Sequence, residues 1–153
     1  MEISDLEKLL TSLHDQKVTP KQAMKKLETL PFENLDFAKV DHHRTLRNGM
    51  PEVIYCQGKT VQQIKGIIRS MFHAGNSILA TRLSKESFRK LKPSLPKVSE
   101  YNEIAQTLVI TKKKQQKRSG LITVITAGTS DIPIAEEAFV TARALGSEVE
   151  TIY

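Results

Sequence analysis

A chain of 153 residues, 39% hydrophobic and 26% charged, has the composition of a soluble globular protein, which excludes a disordered tail or a membrane protein. No apolar run approaches the roughly 20 residues that span a bilayer, and the acidic, amphipathic start Met1-Glu-Ile-Ser-Asp-Leu-Glu7 is unlike a secretory signal, so a cytoplasmic location is expected. The single cysteine, Cys56, allows no internal disulfide and supplies no metal-ligand cluster, and the net charge of +6 makes an anionic partner worth weighing.

In chain order, Ser4-Asp-Leu-Glu7 is a capping box, and Leu6, Leu9, Leu10 and Leu13 form the apolar stripe of a first helix over 4–15. Thr19-Pro-Lys-Gln22 repeats the signal with proline at the first helical position, and Ala23, Met24, Leu27 and Leu30 make the next stripe up to Pro31. The pair is expected to pack as antiparallel helices. Phe32 to Asp41 alternates loosely and reads as extended, Asn48-Gly49 as a turn, and Val53-Ile-Tyr-Cys56 as a strand that Gly58 breaks. A helix over 60–74 follows with Val61, Ile64, Ile67, Ile68 and Met71 inward, closed by Gly75. Ser77 to Leu83 then predicts a strand, Glu86 to Leu91 a short helix and Ile104 to Thr111 a further strand.

Residues 1–111 therefore read as a small α+β domain, with 112–120 as a basic linker. Its Lys112-Lys-Lys-Gln-Gln-Lys-Arg118 run has no interleaved aromatic residue to stack on bases, so a solvated linker is favoured over a nucleic-acid site. Leu121, Ile122, Val124 and Ile125 form a nearly continuous apolar run, the pattern of a parallel strand covered on both faces. Gly128-Thr-Ser-Asp131 follows as a turn, then a helix with Ala135, Ala138, Phe139 and Ala142 on one face and Gly146 as its cap, then a strand over 148–153. This is one βαβ unit of an α/β domain. One such unit leaves an open sheet edge, so the chain is expected to be the first part of a longer parallel-sheet domain.

Chemistry should sit where the 121–125 strand ends. Gly128 lets backbone approach a ligand, and Thr129, Ser130 and Asp131 bring hydroxyls, a carboxylate and the N–H groups of a new helix, a combination suited to a phosphate or ribose. Ser130 and Asp131 are also favoured N-caps whatever binds there. Arg44 and Arg47 could clamp a phosphate or carboxylate with their forked donors, or pair with Asp41 and Glu52 on the surface. His42 and His43 point to opposite faces of an extended stretch, which argues against a shared metal, and Cys56 reads as a packed hydrophobe rather than a nucleophile.

The segments Phe37-Ala-Lys-Val-Asp-His-His-Arg44, Gly49-Met-Pro-Glu-Val-Ile54, Gly58-Lys-Thr60 and Ile122-Thr-Val-Ile-Thr-Ala-Gly-Thr-Ser-Asp-Ile-Pro-Ile-Ala-Glu-Glu-Ala138 resemble the nickel-pincer nucleotide cofactor biosynthesis protein B family, the pyridinium-3,5-biscarboxylic acid mononucleotide synthases. The last segment is similar to the start of a catalytic domain shared with the phosphoribosylaminoimidazole carboxylases, a flavodoxin-like fold. The resemblance implies a homo-oligomeric carboxylase and hydrolase acting on nicotinic acid adenine dinucleotide with carbon dioxide or bicarbonate, releasing AMP and a biscarboxylated mononucleotide. It implies no resident cofactor, with Mg2+ the one ion to test. In the family a cysteine thiolate attacks the pyridinium ring; that cysteine lies beyond Tyr153, Cys56 does not match it, and the chain alone is expected to be inactive. Two alternatives stand beside this reading: a purine-pathway phosphoribosylaminoimidazole carboxylase, disfavoured by the N-terminal signature, and a non-enzymatic basic binding module using 112–118.

Overall fold

Hydrogen-bonded caps and buried stripes fix most of the element boundaries. The computed structural model describes residues 3–27, 32–41, 44, 52–112 and 117–153. Two helices come first, α1 (Ile3–His14) and α2 (Pro20–Leu27), then a short hairpin of β1 (Phe32–Asn34) and β2 (Lys39–Asp41). The middle of the chain is β3 (Val53–Tyr55), α3 (Val61–His73), β4 (Ile78–Thr81), α4 (Lys85–Leu91), β5 (Ser99–Asn102) and β6 (Thr107–Ile110). The last elements are β7 (Leu121–Ile125), α5 (Ile132–Ala144) and β8 (Glu148–Ile152). The chain is an α/β protein whose sheets include parallel pairs.

The Thr19 capping box is made as the sequence predicts. The Thr19 N–H donates to Gln22 Oε1 at 2.9 Å and the Gln22 N–H to Thr19 Oγ1 at 3.3 Å, satisfying two donors that the start of α2 leaves unpaired. Leu9 and Ala23 are buried, while Leu10 and Met24, both assigned to inward stripes, are exposed. Each lies one position off the residue that packs, so the buried stripe is narrower than the apolar one. The end of the second helix at Leu30 and Pro31 and the Asn48-Gly49 turn fall outside the described residues.

Helix α3 carries the strongest local code. Thr60 and Gln63 close a reciprocal capping box at its start, and Gly75, with φ +87°, follows its last turn in the left-handed conformation that costs glycine little. Ile64, Ile67, Ile68 and Met71 turn inward together and form the core with Ile54, Ile78, Ala80, Leu108 and Ile110. Phe37 lays its ring on this helix at Gly66, where a Cβ would stand 3.0 Å from the ring. The sheet under α3 has the order β3-β4-β6-β5. Strands β3 and β4 are parallel, joined by α3 as a crossover, whereas β6 is antiparallel to both of its neighbours. All four residues of β4 are buried, as suits a central strand.

Two departures from the sequence reading concern strands. Ile104 lies in the turn before β6 and is exposed, and the missed strand β5 pairs with β6 from Ser99↔Ile110 to Asn102↔Thr107. Leu121, Ile122 and Ile125 of β7 are exposed rather than covered on both faces. In this chain β7 has β8 as its neighbour and α5 as its cover, which leaves much of its surface open.

Candidate functional site

Strands β7 and β8 run parallel in register from Leu121↔Glu148 to Ile125↔Ile152, and the Thr126 N–H extends the ladder by donating to Ile152 O at 3.0 Å. The chain then leaves the strand through Gly128, makes one 3-10 turn over Thr129–Asp131 and enters α5. Gly128, Thr129, Ser130 and Asp131 therefore sit at the carboxyl end of a parallel pair, the place where open α/β sheets bind ligands. At the other end of α5, Gly146 has φ +92°, and its N–H donates to Arg143 O at 3.0 Å while the Ser147 N–H donates to Ala142 O at 3.1 Å. This doubly bonded left-handed cap is the one the glycine predicts.

Space rather than backbone conformation accounts for the glycine in the turn. Gly128 has φ −115° and ψ 135°, open to any residue, but a Cβ there would lie 3.3 Å from Asp131 Oδ2 and 3.7 Å from Ser130 Oγ. Both polar side chains thus fold back over the Gly128 backbone. The Asp131 N–H donates to Gly128 O at 3.0 Å and tightens the turn. Asp131 occupies the N-cap position of α5 but makes no side-chain cap hydrogen bond, so of its two roles the capping one is not realised. Thr129, Ser130 and Asp131 are exposed. Hydroxyls of this kind can donate to a phosphate, whereas the Asp131 carboxylate repels one and suits a sugar hydroxyl.

Arg44 is exposed, and Arg47, His42 and His43 lie outside the described residues, so the two-arginine clamp stays an expectation. The Asp41 N–H donates to Glu52 Oε2 at 2.5 Å. Cys56 is buried, with Sγ 3.7 Å from Ile54 O; burial pushes its thiol up to about 11 against the opposing charge of Lys59. A neutral, packed thiol is a poor nucleophile. Among the described residues no three His, Cys, Asp or Glu side chains converge as metal ligands. The turn would offer Mg2+ one carboxylate, Asp131. No helix is long and apolar enough to cross a membrane among the described residues.

Helix α5 also reaches the four-stranded sheet, through residues that the sequence reading passed over. Glu137 pairs with Arg82 Nε at 2.9 Å, and Glu136 accepts from Asn102 Nδ2 at 2.9 Å and from the Tyr153 hydroxyl at 2.7 Å. The signal available was two adjacent acids interrupting an apolar helix. At the basic stretch, the Arg118 N–H donates to Gly146 O at 3.0 Å and its Nε to Leu145 O at 3.0 Å. Lys112 stands over the Phe72 ring at 4.4 Å, and residues 113–116 lie outside the described residues.

A mixed sheet over a capped crossover helix, followed by the opening of a parallel α/β unit with a polar turn at its carboxyl end, defines the class of protein. Residues 32–113 match the LarB/PurE-like N-terminal domain, more than half of the chain, and the chain belongs to that family. It is also similar to the uncharacterized protein MJ0165 of Methanocaldococcus jannaschii, 31% identical over 157 residues that take in 97% of this chain. The chain spans about 60% of the length of that curated relative.

Proposed function

We propose that the activity to which these elements belong is the carboxylation of the pyridinium ring of nicotinic acid adenine dinucleotide together with hydrolysis of its phosphoanhydride, giving pyridinium-3,5-biscarboxylic acid mononucleotide and AMP. Membership of the LarB/PurE-like family supports this reading, and the observation that carries it to particular residues is the Gly128–Asp131 turn at the carboxyl end of β7. In this reading the Thr129 and Ser130 hydroxyls donate to a phosphate of the dinucleotide, and Asp131 accepts from a ribose hydroxyl. Arg44 and Arg47 contact a further anionic part of the substrate. A thiolate supplied elsewhere attacks the ring, because Cys56 is buried and neutral.

Titration of the protein with nicotinic acid adenine dinucleotide tests the assignment. Saturable binding is expected, and Ser130→Ala should weaken it by about 1–3 kcal/mol through loss of a hydrogen bond to a charged group. Dinucleotide binding that a correctly folded Ser130→Ala protein retains in full would remove the turn from the site. For the reaction, AMP release that depends on bicarbonate is the expected readout of the enzyme, and release independent of bicarbonate would refute the carboxylation step.

A further inference from the structure

A cleft of about 420 Å³ opens in the four-stranded sheet at a place the 128–131 turn does not reach. The chain enters it directly from the carboxyl ends of β3 and β4, the two parallel strands of that sheet. After β3 come Cys56, Gln57, Gly58 and Lys59; after β4 come Arg82, Leu83 and Ser84. Ligands of α/β sheets gather at this end because successive loops diverge there and leave a crevice between them. The volume lies within the roughly 300–1,000 Å³ of small-molecule sites.

The lining sorts by chemistry. Lys59 and Arg82 put a cation on each of the two loops; no carboxylate is among the described residues lining the cleft, though Arg82 is ion-paired with Glu137 beside it. The floor is apolar: Cys56, Ile64 and Leu83, all buried. The rim is held in place by backbone bonds, from the Cys56 N–H to Thr81 O at 2.9 Å and from the Leu83 N–H to Gln106 O at 2.8 Å. Three rim residues have left-handed backbone: Gly58 at φ +78°, Arg82 at +54° and Gln106 at +48°. For the two that are not glycine this conformation costs roughly 1–3 kcal/mol each, strain that collects at ligand sites. Gly58 has open space where a Cβ would stand, so room is not what selects it; its positive φ is.

The geometry points to a binding site for a small phosphate monoester, its anion between the Lys59 and Arg82 loops and its organic part against the loop residues Gln57, Gly58 and Ser84 that line the cleft. Arg82 also holds Glu137 of α5, so an anion in the cleft sits beside the contact between the sheet and α5. The probes are phenyl phosphate and inorganic phosphate, titrated into 15N-labelled protein and followed by amide shifts. Phenyl phosphate is expected to shift the amides of Gln57, Gly58, Lys59, Leu83 and Ser84 saturably, and to bind at least about tenfold tighter than phosphate, about 1.4 kcal/mol. Lys59→Gln should weaken it about tenfold or more with the rest of the spectrum unchanged, and Arg82→Gln should weaken it as much, with further shifts confined to the Glu137 contact between α5 and the sheet. Absent shifts at these amides, equal affinity for the two probes, or unaltered binding in folded Lys59→Gln and Arg82→Gln would each overturn the proposal. Shifts at Gly128 to Asp131 are read separately in the same spectra, so the two sites stand or fall independently.

Discussion

Thr107 is fully buried in β6, and its hydroxyl has no hydrogen-bond partner among the described residues. A buried hydroxyl left unpaired costs about 1–3 kcal/mol of desolvation, whereas valine replaces it with a methyl of nearly the same shape. Valine also keeps the branched Cβ that suits a strand. Its backbone pairing with Asn102 is unaffected by the exchange. Thr107→Val should therefore stabilise the protein by about 1–2 kcal/mol, a rise in Tm of roughly 2–8 °C for a chain of this size. Differential scanning calorimetry gives the Tm, and urea denaturation with an unchanged slope shows that the native state, not the denatured one, has shifted. A loss of more than about 0.5 kcal/mol would refute the reasoning, because it would mean that the hydroxyl is bonded in solution.

Burial raises the Cys56 thiol from its ordinary 9.0 to about 11, so the folded state favours the protonated form. The stability this contributes is full below pH 9 and is lost as the pH rises from about 9 towards 11. Urea melts of the wild type and Cys56→Ala at pH 7, 9 and 10.5 should show the wild-type advantage shrinking over that window, and native Cys56 should resist iodoacetamide at pH 8 until urea is added; alkylation at the rate of a free thiol refutes both. A double-mutant cycle on Arg82 and Glu137, whose side chains are 45% and 21% exposed, should give a coupling of about 0.5–1 kcal/mol that falls with salt. Zero coupling at low salt would show that the pair does not fasten α5 to the sheet.

Elements with a clear stripe and a stop signal were legible from the residues alone. The 64–67–68–71 stripe and Gly75 specify α3, whose Thr60–Gln63 capping box went unread, and the Gly128-Thr-Ser-Asp turn was placed correctly after its strand. Strand β5 was not legible, because Ser99-Glu-Tyr-Asn102 is polar and sits at a sheet edge, where Tyr101 stacks on Phe88 at 4.0 Å. The orientation of the Ser130 and Asp131 side chains was equally hidden, since an N-cap signature gives a position and not the choice between capping the helix and folding over Gly128. The cleft after β3 and β4 escaped notice for a different reason. Its cations, Lys59 and Arg82, are 23 positions apart, and what brings them together is a parallel pairing that leaves no mark on either loop.

The order of strands in the main sheet sets how the molecule breathes. Strands β4 and β6 have partners on both sides, and β4 is buried along its whole length, whereas β3 and β5 form the borders. Amide protons of Leu79, Ala80 and Val109 lie in strands held on both sides inside the core, where opening one strand means opening the sheet, so they should report a free energy near the global one. Those of the two-stranded β7–β8 ribbon need only a local opening. Deuterium uptake should therefore proceed in two steps, the ribbon exchanging while the interior of the main sheet is still protonated.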